Sequence, residues 1–223
     1  MSTHAVVAED LALRGSRGPV YGPLSLEVPT GSVFALTGPA GSGRTSLLLT
    51  LTARFRPSQG SLTILGEVMP RHRRQVQRHT AIAGFSGLDE VDDALHVGEL
   101  ITERLDLVTP LFRRAPGLDS DVARDTWATV MGQAEIPARA RIDELTPLEE
   151  LQLRIVLALL GRPALLAVDD VDRLRDPDHR DALWASLSRI ADSGTTVVTS
   201  TTMDPPPAVI SLPVSSHLQE VAS

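Results

Sequence analysis

The chain has 223 residues, of which 42% are apolar and 22% charged, and its formal net charge at pH 7 is −7. This length is enough for one large domain with a buried core, and a chain this acidic has no overall field that attracts nucleic acid, which argues against a nucleic-acid-binding protein. Because the chain has no cysteine, disulfide frameworks and thiolate metal sites are excluded.

The first third of the chain alternates short apolar runs with turns. A glycine-rich turn at 38–43 precedes the apolar stretch 45–55, which predicts a helix. Around them, runs bounded by Gly, Pro and Ser predict strands at residues 5–13, 24–28, 33–36 and 61–65. The densest basic run follows, at Arg71 to Arg74 with Arg78. Its ordinary interpretation is the solvated start of a helix, and a local patch for phosphate or lipid headgroups is the alternative.

The remaining two thirds begin with helical patterns and return to alternation. Apolar residues recur near helical spacing at 95–107 and 122–136, and a helix is predicted at 148–160. Further elements are a buried-type strand at 165–168 that ends in Asp169-Asp170, a helix at 178–190, and strands at 195–200 and 209–212. Strands that alternate with helices at both ends predict an α/β fold with a mostly parallel sheet, into which the helical middle is inserted.

Neither a signal peptide nor a membrane span is visible. Residues 1–10 lack a basic start and an apolar run, and the most apolar stretch, 155–168, is short and contains Arg162-Pro163. The chain is therefore expected in the cytoplasm. If it works at a membrane, another chain supplies the spans.

The glycine-rich turn fits the phosphate-binding pattern G-x-x-x-x-G-K-[ST], except that Arg44 replaces lysine. Glycine allows successive backbone N–H groups to point inward, and the following helix start presents unpaired N–H groups to an anion. The alternative is a surface turn that caps a helix. The residues predicted to bind the phosphates are Gly38, Pro39, Ala40, Gly41, Ser42, Gly43, Arg44, Thr45 and Ser46.

From this loop onward, the chain resembles the ABC (ATP-binding cassette) ATPases almost from end to end. The matching segments are residues 24–36, 55–62, 95–100 and, most closely, 159–169, with the sequence LLGRPALLAVD. The resemblance implies a P-loop NTPase (RecA-like) core with an antiparallel β lead-in, residues 1–87 and 141–223. It also implies an inserted helical subdomain, residues 88–140, within a single nucleotide-binding domain.

The resemblance also implies cofactors and partners. ATP and Mg²⁺ would be bound, with Thr45 and Asp169 as metal-binding residues. Each ATP would lie between one P-loop and the signature motif of a second ABC subunit, in a homodimer or heterodimer. An integral membrane permease would be supplied by another chain, which would place this chain at the inner face of the membrane.

Several residues depart from the family's pattern where the chemistry takes place. Arg44, which stands in the lysine's place as a catalytic candidate, keeps the charge but is a wide planar fork. Asp170 occupies the place of the catalytic glutamate; it can act as a base or orient water, although its side chain is one methylene shorter. The signature motif falls on residues 145–149, where Pro147, Leu148 and Glu149 replace Gly, Gly and Gln. Because proline has no N–H to donate and Glu149 adds an acid, weak or no signature contact is expected.

Three further departures concern residues that normally surround the nucleotide. The switch histidine is absent after the strand 195–200, where the sequence is Thr201-Thr202-Met203. No glutamine lies near Gly87. No aromatic residue stands near Gly15 to stack on adenine, and the nearest one, Tyr21, is displaced.

Two functional hypotheses follow. The first is an ATP-binding subunit of an ABC-type membrane transport system, which hydrolyses ATP slowly. The second is a non-catalytic module that senses nucleotide or acts as a scaffold for a membrane protein. A soluble ABC protein that acts on DNA or ribosomes fits less well, because such proteins carry coiled coils, zinc modules or paired cassettes.

Overall fold

The computed structural model describes residues 3–215. The strands are β1 His4–Gly15, β2 Gly18–Pro29, β3 Val33–Thr37, β4 Gln59–Ile64, β5 Glu67–Val68, β6 Thr80–Ala83, β7 Leu165–Val168, β8 Thr196–Thr201 and β9 Ile210–Pro213. The α-helices are α1 Arg44–Leu51, α2 Arg73–Arg78, α3 Val97–Val108, α4 Asp121–Met131, α5 Pro147–Leu159 and α6 Pro177–Asp192.

The strands form two sheets of different kinds. β2, β1, β4 and β5 make an antiparallel sheet in that order. β6, β7, β8, β3 and β9 make a sheet in which every pair of neighbours is parallel. Because parallel neighbours need crossover connections, this sheet confirms the α/β fold predicted from the alternation of strands and helices.

The parallel sheet separates two apolar cores. Successive strand residues point to opposite faces, so that Leu166 and Val168 of β7 join one core while Leu165 and Ala167 join the other. The first core also contains the apolar faces of α3, α4, α5 and α6, and the second contains those of α1, β1 and β2. Both faces of the sheet are thus covered, as the continuous apolar runs of its strands require.

Most predicted elements are confirmed, but some bounds were wrong. The helix predicted to Phe55 ends at Leu51, because Ala53 adopts a left-handed φ of 60° that takes the chain out of the helix. The helix predicted to Ile136 ends at Met131 and is followed by Gly132, also at positive φ. The short strands β5 and β6 were not predicted, since they are too short or too poor in large apolar residues to give a pattern.

The middle of the chain is helical, as predicted. α3 and α4 pack with α5 and α6 around a shared set of buried residues. The limits of the helical subdomain, residues 88–140, stay a prediction. None of the helices within residues 3–215 combines the length and the apolar character that a membrane span requires.

Candidate functional site

The glycine-rich turn joins the carboxyl end of β3 to α1, at one edge of the parallel sheet. At two of its glycine positions, no other residue type fits. At Gly38, which has a φ of 148°, an added Cβ would lie 2.4 Å from the carbonyl oxygen of Val214. At Gly43, with a φ of 88°, it would lie 2.2 Å from the carbonyl oxygen of Val20. The loop is therefore packed between two neighbouring backbone segments, which fix its shape.

The start of α1 has no acceptor of its own. Its N-cap is Gly43, no side chain caps the helix, and the first turn contains no acidic residue. The first N–H groups of a helix have no partner inside it, and they attract anions. In addition, Ser42 is 1% exposed, and its Oγ has no hydrogen-bond partner among the described residues. Unused donors and an orphaned hydroxyl fit a phosphate ligand, because phosphate oxygens accept several hydrogen bonds at once.

Arg44 makes a contact that the sequence did not suggest. Its Nη1 donates to the carbonyl oxygen of Thr201, at the end of β8, over 2.8 Å. The cation that replaces the family's lysine is thus bonded to a neighbouring strand rather than free above the loop. The wide fork of arginine permits this reach, and its remaining donors can still face an anion.

Two carboxylates lie at the same edge of the sheet. Asp169 follows β7 and is 6% exposed, and its Oδ1 accepts a hydrogen bond from Ser200 Oγ at 2.6 Å. The backbone N–H of Asp170 donates to the same hydroxyl at 2.9 Å. Because β3 and β7 belong to one parallel sheet, their carboxyl ends share an edge, which brings the turn with Thr45 and the carboxylates to the same side of the molecule.

Asp170 is in an unusual conformation and environment. Its φ of 52° lies in the left-handed region, which is uncommon outside glycine and is frequent at functional sites. Burial raises the pKa of its carboxyl group, and the neighbouring carboxylates Asp169 and Asp172 raise it further, whereas Arg173 and Arg44 lower it. A carboxyl group with a raised pKa is closer to the proton affinity that a general base needs.

The start of α5, where the signature motif was placed, is closed by its own side chains. Thr146 is the N-cap, and its Oγ1 accepts from the backbone N–H of Glu149 at 3.3 Å. In return, Glu149 Oε2 accepts from the N–H of Thr146 at 2.8 Å and from its hydroxyl at 2.7 Å. Pro147 occupies the first helical position and has no N–H. This capping box uses the donors that an external anion would need.

Three residues at or near positions where the family contacts nucleotide form hydrogen bonds within the protein instead. Tyr21 is fully buried and donates from its hydroxyl to Thr50 Oγ1 at 2.7 Å, so it cannot stack on a base. At the position of the switch histidine, the N–H of Thr202 donates to the carboxylate of Asp172. The N–H of Gly87 donates to Glu90 at 2.8 Å.

Sequence reasoning missed three side chains of this region. Ser200 lies in a β-branched strand and carries no pattern of its own. Asp172 is the third acid within four residues, and this density was a signal that could have identified it. Asp89 forms a buried, two-pronged ion pair with Arg154 of α5, at 2.6 Å and 3.0 Å, and also accepts from the N–H groups of Gly84 and Phe85.

Comparisons with known proteins agree with the geometry. The model of a family described as ABC transporter matches residues 21–172. The "Nod factor export ATP-binding protein I" of Cupriavidus pinatubonensis is 29% identical over 82% of this chain and 54% of its own length. The chain therefore spans about half the length of this curated relative.

Solved structures show the same fold. The cbiO1 protein of Clostridium perfringens, part of the transporter complex cbiONQ, has a TM-score of 0.75 at 16% identity and covers 91% of this chain and 80% of its own. A bacterial ABC transporter cassette solved as a dimer has a TM-score of 0.74 at 17% identity, over 95% of this chain and 96% of its own.

Proposed function

Because the chain belongs to the ABC transporter family, we propose that it is an ATP-binding subunit of a membrane transport system. The observation that carries this proposal is the uncapped start of α1, where free N–H groups and the orphaned Ser42 Oγ meet at the carboxyl edge of a parallel sheet. The relative from Cupriavidus is named an export ATP-binding protein, which supports a role in transport.

The triphosphate of ATP would bind to the turn and the first residues of α1, Gly38 to Ser46. Thr45 and Asp169 would hold the Mg²⁺ ion that accompanies it, since hydroxyl and carboxylate oxygens are the ligands that Mg²⁺ prefers. Mg²⁺, when bound, neutralises charge on the phosphates. Arg44 would add a positive charge, although it must share its donors between the phosphates and Thr201.

Hydrolysis would be slow in this proposal. Asp170 is the candidate base, and a misplacement of about 1 Å can cost roughly 100-fold in rate, so a carboxylate that is one methylene shorter than glutamate weakens catalysis. Its raised pKa means that the charged form needs a higher pH than an ordinary aspartate. Turnover that depends on Asp170 would therefore rise with pH across the acidic range, and it would be absent from Asp170→Asn.

A cleft of about 620 Å³ is proposed as the contact with the membrane partner. Arg54 and Arg104 line it half-buried, and among the described residues they donate to neutral oxygens, those of Thr52, Thr80 and Leu157. Within residues 3–215, no carboxylate lies at ion-pair distance from either guanidinium. Burial also lowers the pKa of both guanidinium groups.

An acidic cytoplasmic segment of a permease would supply that counter-ion. Four arginines line the cleft, Arg54, Arg78, Arg104 and Arg154, against one acid, Asp89, which is paired with Arg154. Co-purification with the permease is expected to be lost in an Arg54→Gln, Arg104→Gln double variant while Mg-ATP binding stays unchanged. Undiminished co-purification of the double variant would refute the assignment of this cleft.

Pairing with a second ABC subunit, identical or different, completes the proposal. The bacterial cassette of similar fold was solved as a dimer. The chain would work at the inner face of the membrane, where such a pair meets the permease. The alternative of a non-catalytic scaffold is not favoured, because the family and the relative are named for transport and ATP binding.

The deciding experiment is a calorimetric titration of the purified chain with Mg-ATP. Gly41→Asp is the sharpest variant, because Gly41 has open space around its Cβ position and a φ of +81°, so an added carboxylate would repel phosphate without a clash. Gly66→Asp is the matched control, since Gly66 has the same φ and the same open surroundings in the turn between β4 and β5.

Micromolar to low-millimolar binding is expected for the wild-type chain and for Gly66→Asp, and none for Gly41→Asp. The absence of wild-type binding at several millimolar Mg-ATP would overturn the proposed function. Equal binding by all three proteins would place the nucleotide somewhere other than the glycine-rich turn.

A further inference from the structure

Residues at the end of β8 form a hydrogen-bonded network, and the resemblance to ABC ATPases implies no role for it. We call Ser200, Thr201 and Thr202 the β8 junction. Ser200 Oγ contacts both Asp169 and Asp170, the hydroxyl of Thr201 donates to Asp172 at 2.7 Å, and the carbonyl of Thr201 accepts from Arg44. Three consecutive residues thus link the phosphate-binding turn, the end of β7 and the turn that follows it.

Ser200 occupies the centre of this junction. Its hydroxyl is 1% exposed, and it donates to Asp169 Oδ1 at 2.6 Å while it accepts from the N–H of Asp170 at 2.9 Å. A hydroxyl can donate one hydrogen bond and accept others, so one oxygen restrains two adjacent residues at once. No other hydrogen bond to the Asp169 carboxylate is formed within residues 3–215, which leaves its orientation to Ser200.

These hydrogen bonds matter because each aspartate has an energetically unfavourable feature. Asp169 carries a carboxylate that is almost fully buried, and hydrogen bonds to a charged group offset part of the cost of burial. Asp170 is held at a φ of 52°, a conformation that persists only where the surroundings fix it. The bond from its N–H to Ser200 is one such fixing contact.

We infer that Ser200 is the positioning residue of the metal site: its hydroxyl aims the carboxylate of Asp169 at the cation of bound Mg-ATP and holds the backbone of Asp170. This inference rests on the proposed function, because it concerns the Mg²⁺ that accompanies ATP. The hydroxyl acts through Asp169, as groups behind metal ligands commonly do, and their removal lowers metal affinity by about 10- to 100-fold.

The test compares nucleotide binding with and without metal. ATP affinity is measured by calorimetry in excess Mg²⁺ and in EDTA, and the ratio of the two dissociation constants reports the contribution of the metal. In Ser200→Ala this ratio is expected to fall about tenfold, while affinity in EDTA changes by less than about twofold. Ser200→Thr keeps a hydroxyl and is expected to recover the wild-type ratio.

Thr199→Val is the matched control. Thr199 is the preceding residue of β8, equally buried, but its hydroxyl donates to the carbonyl of Val168, and within residues 3–215 it forms no hydrogen bond with either aspartate. Its loss is expected to lower thermal stability and leave the Mg²⁺ ratio unchanged. An equal fall in affinity with and without Mg²⁺ in Ser200→Ala, or the same change of ratio in Thr199→Val, would overturn the inference.

A second measurement separates the failure of this inference from the failure of the proposed function. In the nucleotide-free chain, hydrogen exchange of the Asp170 amide is expected to accelerate about tenfold in Ser200→Ala and not in Thr199→Val, because its acceptor is removed. If the wild-type chain binds no Mg-ATP, the proposed function fails while exchange still decides whether Ser200 holds Asp170. Unchanged exchange would refute the positioning role.

Discussion

The first turns of α1 and α5 can be aligned residue by residue. Gly43, Arg44, Thr45 and Ser46 begin α1 in the order N-cap, N1, N2 and N3, and Thr146, Pro147, Leu148 and Glu149 begin α5 in the same order. Each helix starts with N–H groups that have no partner inside the helix. At α5 the chain supplies its own acceptors, and at α1 none of residues 3–215 supplies a side-chain acceptor.

The difference lies in the residues at the N-cap and at N3. Glycine at the N-cap and serine at N3 leave the donors of α1 available, whereas threonine and glutamate at the same positions close α5 through reciprocal hydrogen bonds. If the chain pairs with another cassette, the structure predicts that it contributes a phosphate loop more readily than a signature contact. Substitutions around both helices test this difference.

The largest effect on stability is expected at the ion pair that joins α5 to the loop after β6. Asp89→Ala would leave the guanidinium of Arg154, 5% exposed, with only the longer ion pair to Glu150 at 3.6 Å among residues 3–215, and would also remove the acceptor of two backbone N–H groups. Loss of one partner of a buried pair costs about 3–5 kcal/mol. Urea denaturation measures this loss of unfolding free energy, and Asp121→Ala, which breaks an exposed pair, is expected to change it by less than about 1 kcal/mol.

The next prediction gives α1 the acid that closes α5. Ser46→Glu places a glutamate at N3, where its carboxylate can reach back over the helix start and repel phosphate. Mg-ATP affinity is expected to fall at least about 100-fold by calorimetry, equivalent to roughly 2.7 kcal/mol. Ser46→Gln has nearly the same shape without the charge, so a similar fall in both variants would show that bulk, not charge, closes the site.

A smaller effect concerns Tyr21 of β2, whose hydroxyl is hydrogen-bonded to Thr50, close to the end of α1. Burial raises the pKa of Tyr21 to about 12, a larger effect than the opposing hydrogen bond to Thr50. Because the folded state holds this proton more tightly than the unfolded chain, the associated stability is complete below pH ~10 and is lost as pH rises towards 12; the loss is about 2 kcal/mol. Tyr21 is the only tyrosine, so its absorbance titration follows this group alone.

Tyr21→Phe provides the control for that measurement. It removes the ionisable group, so unfolding free energy is expected to be lower than wild type at pH 7 but to lose its dependence on pH between 10 and 12. A midpoint near 10 for the wild-type absorbance would mean that the hydroxyl reaches solvent, contrary to its burial against Thr50.

The smallest effect is expected from removing the side-chain cap at the start of α5. Thr146→Ala removes the N-cap oxygen, which costs about 1 kcal/mol of unfolding free energy. Thr146→Ser retains that oxygen and is expected to stay within about 0.5 kcal/mol of wild type. Neither variant is expected to change Mg-ATP affinity, since α1 is untouched; a parallel change in affinity would show that the two helix starts are coupled.

The glycine-rich turn between β3 and α1 could be predicted because its information is local, whereas its role in binding phosphate stays a prediction. Residues 38–45 are contiguous, and the backbone conformation required at each glycine position can be recognised from the glycine itself. Ser200 could not be predicted, because its contact with Asp169 spans 31 residues and depends on the register that sets Val168 opposite Thr199. The same reasoning applies to the end of α1, where the left-handed Ala53 is imposed by surrounding packing rather than by its own preference.

The strands and cores were predictable to a greater extent than the polar network. Continuous apolar runs such as 165–168 can only be buried on both faces, so β7 followed from its composition. In contrast, the hydrogen bond from Arg44 to Thr201 follows from the arrangement of β3 and β8. Polar partners are selected by tertiary placement, which short-range patterns do not contain.

The packing of the glycine-rich turn between two carbonyl oxygens also bears on the thermodynamics of ligand binding. With Val214 against Gly38 and Val20 against Gly43, the loop loses its conformational freedom when the chain folds rather than when a ligand arrives. A preformed loop of this kind avoids the entropy loss that a segment ordering on contact would incur. Phosphate association here is therefore expected to proceed with only a small change in heat capacity, unlike a reaction in which folding accompanies binding.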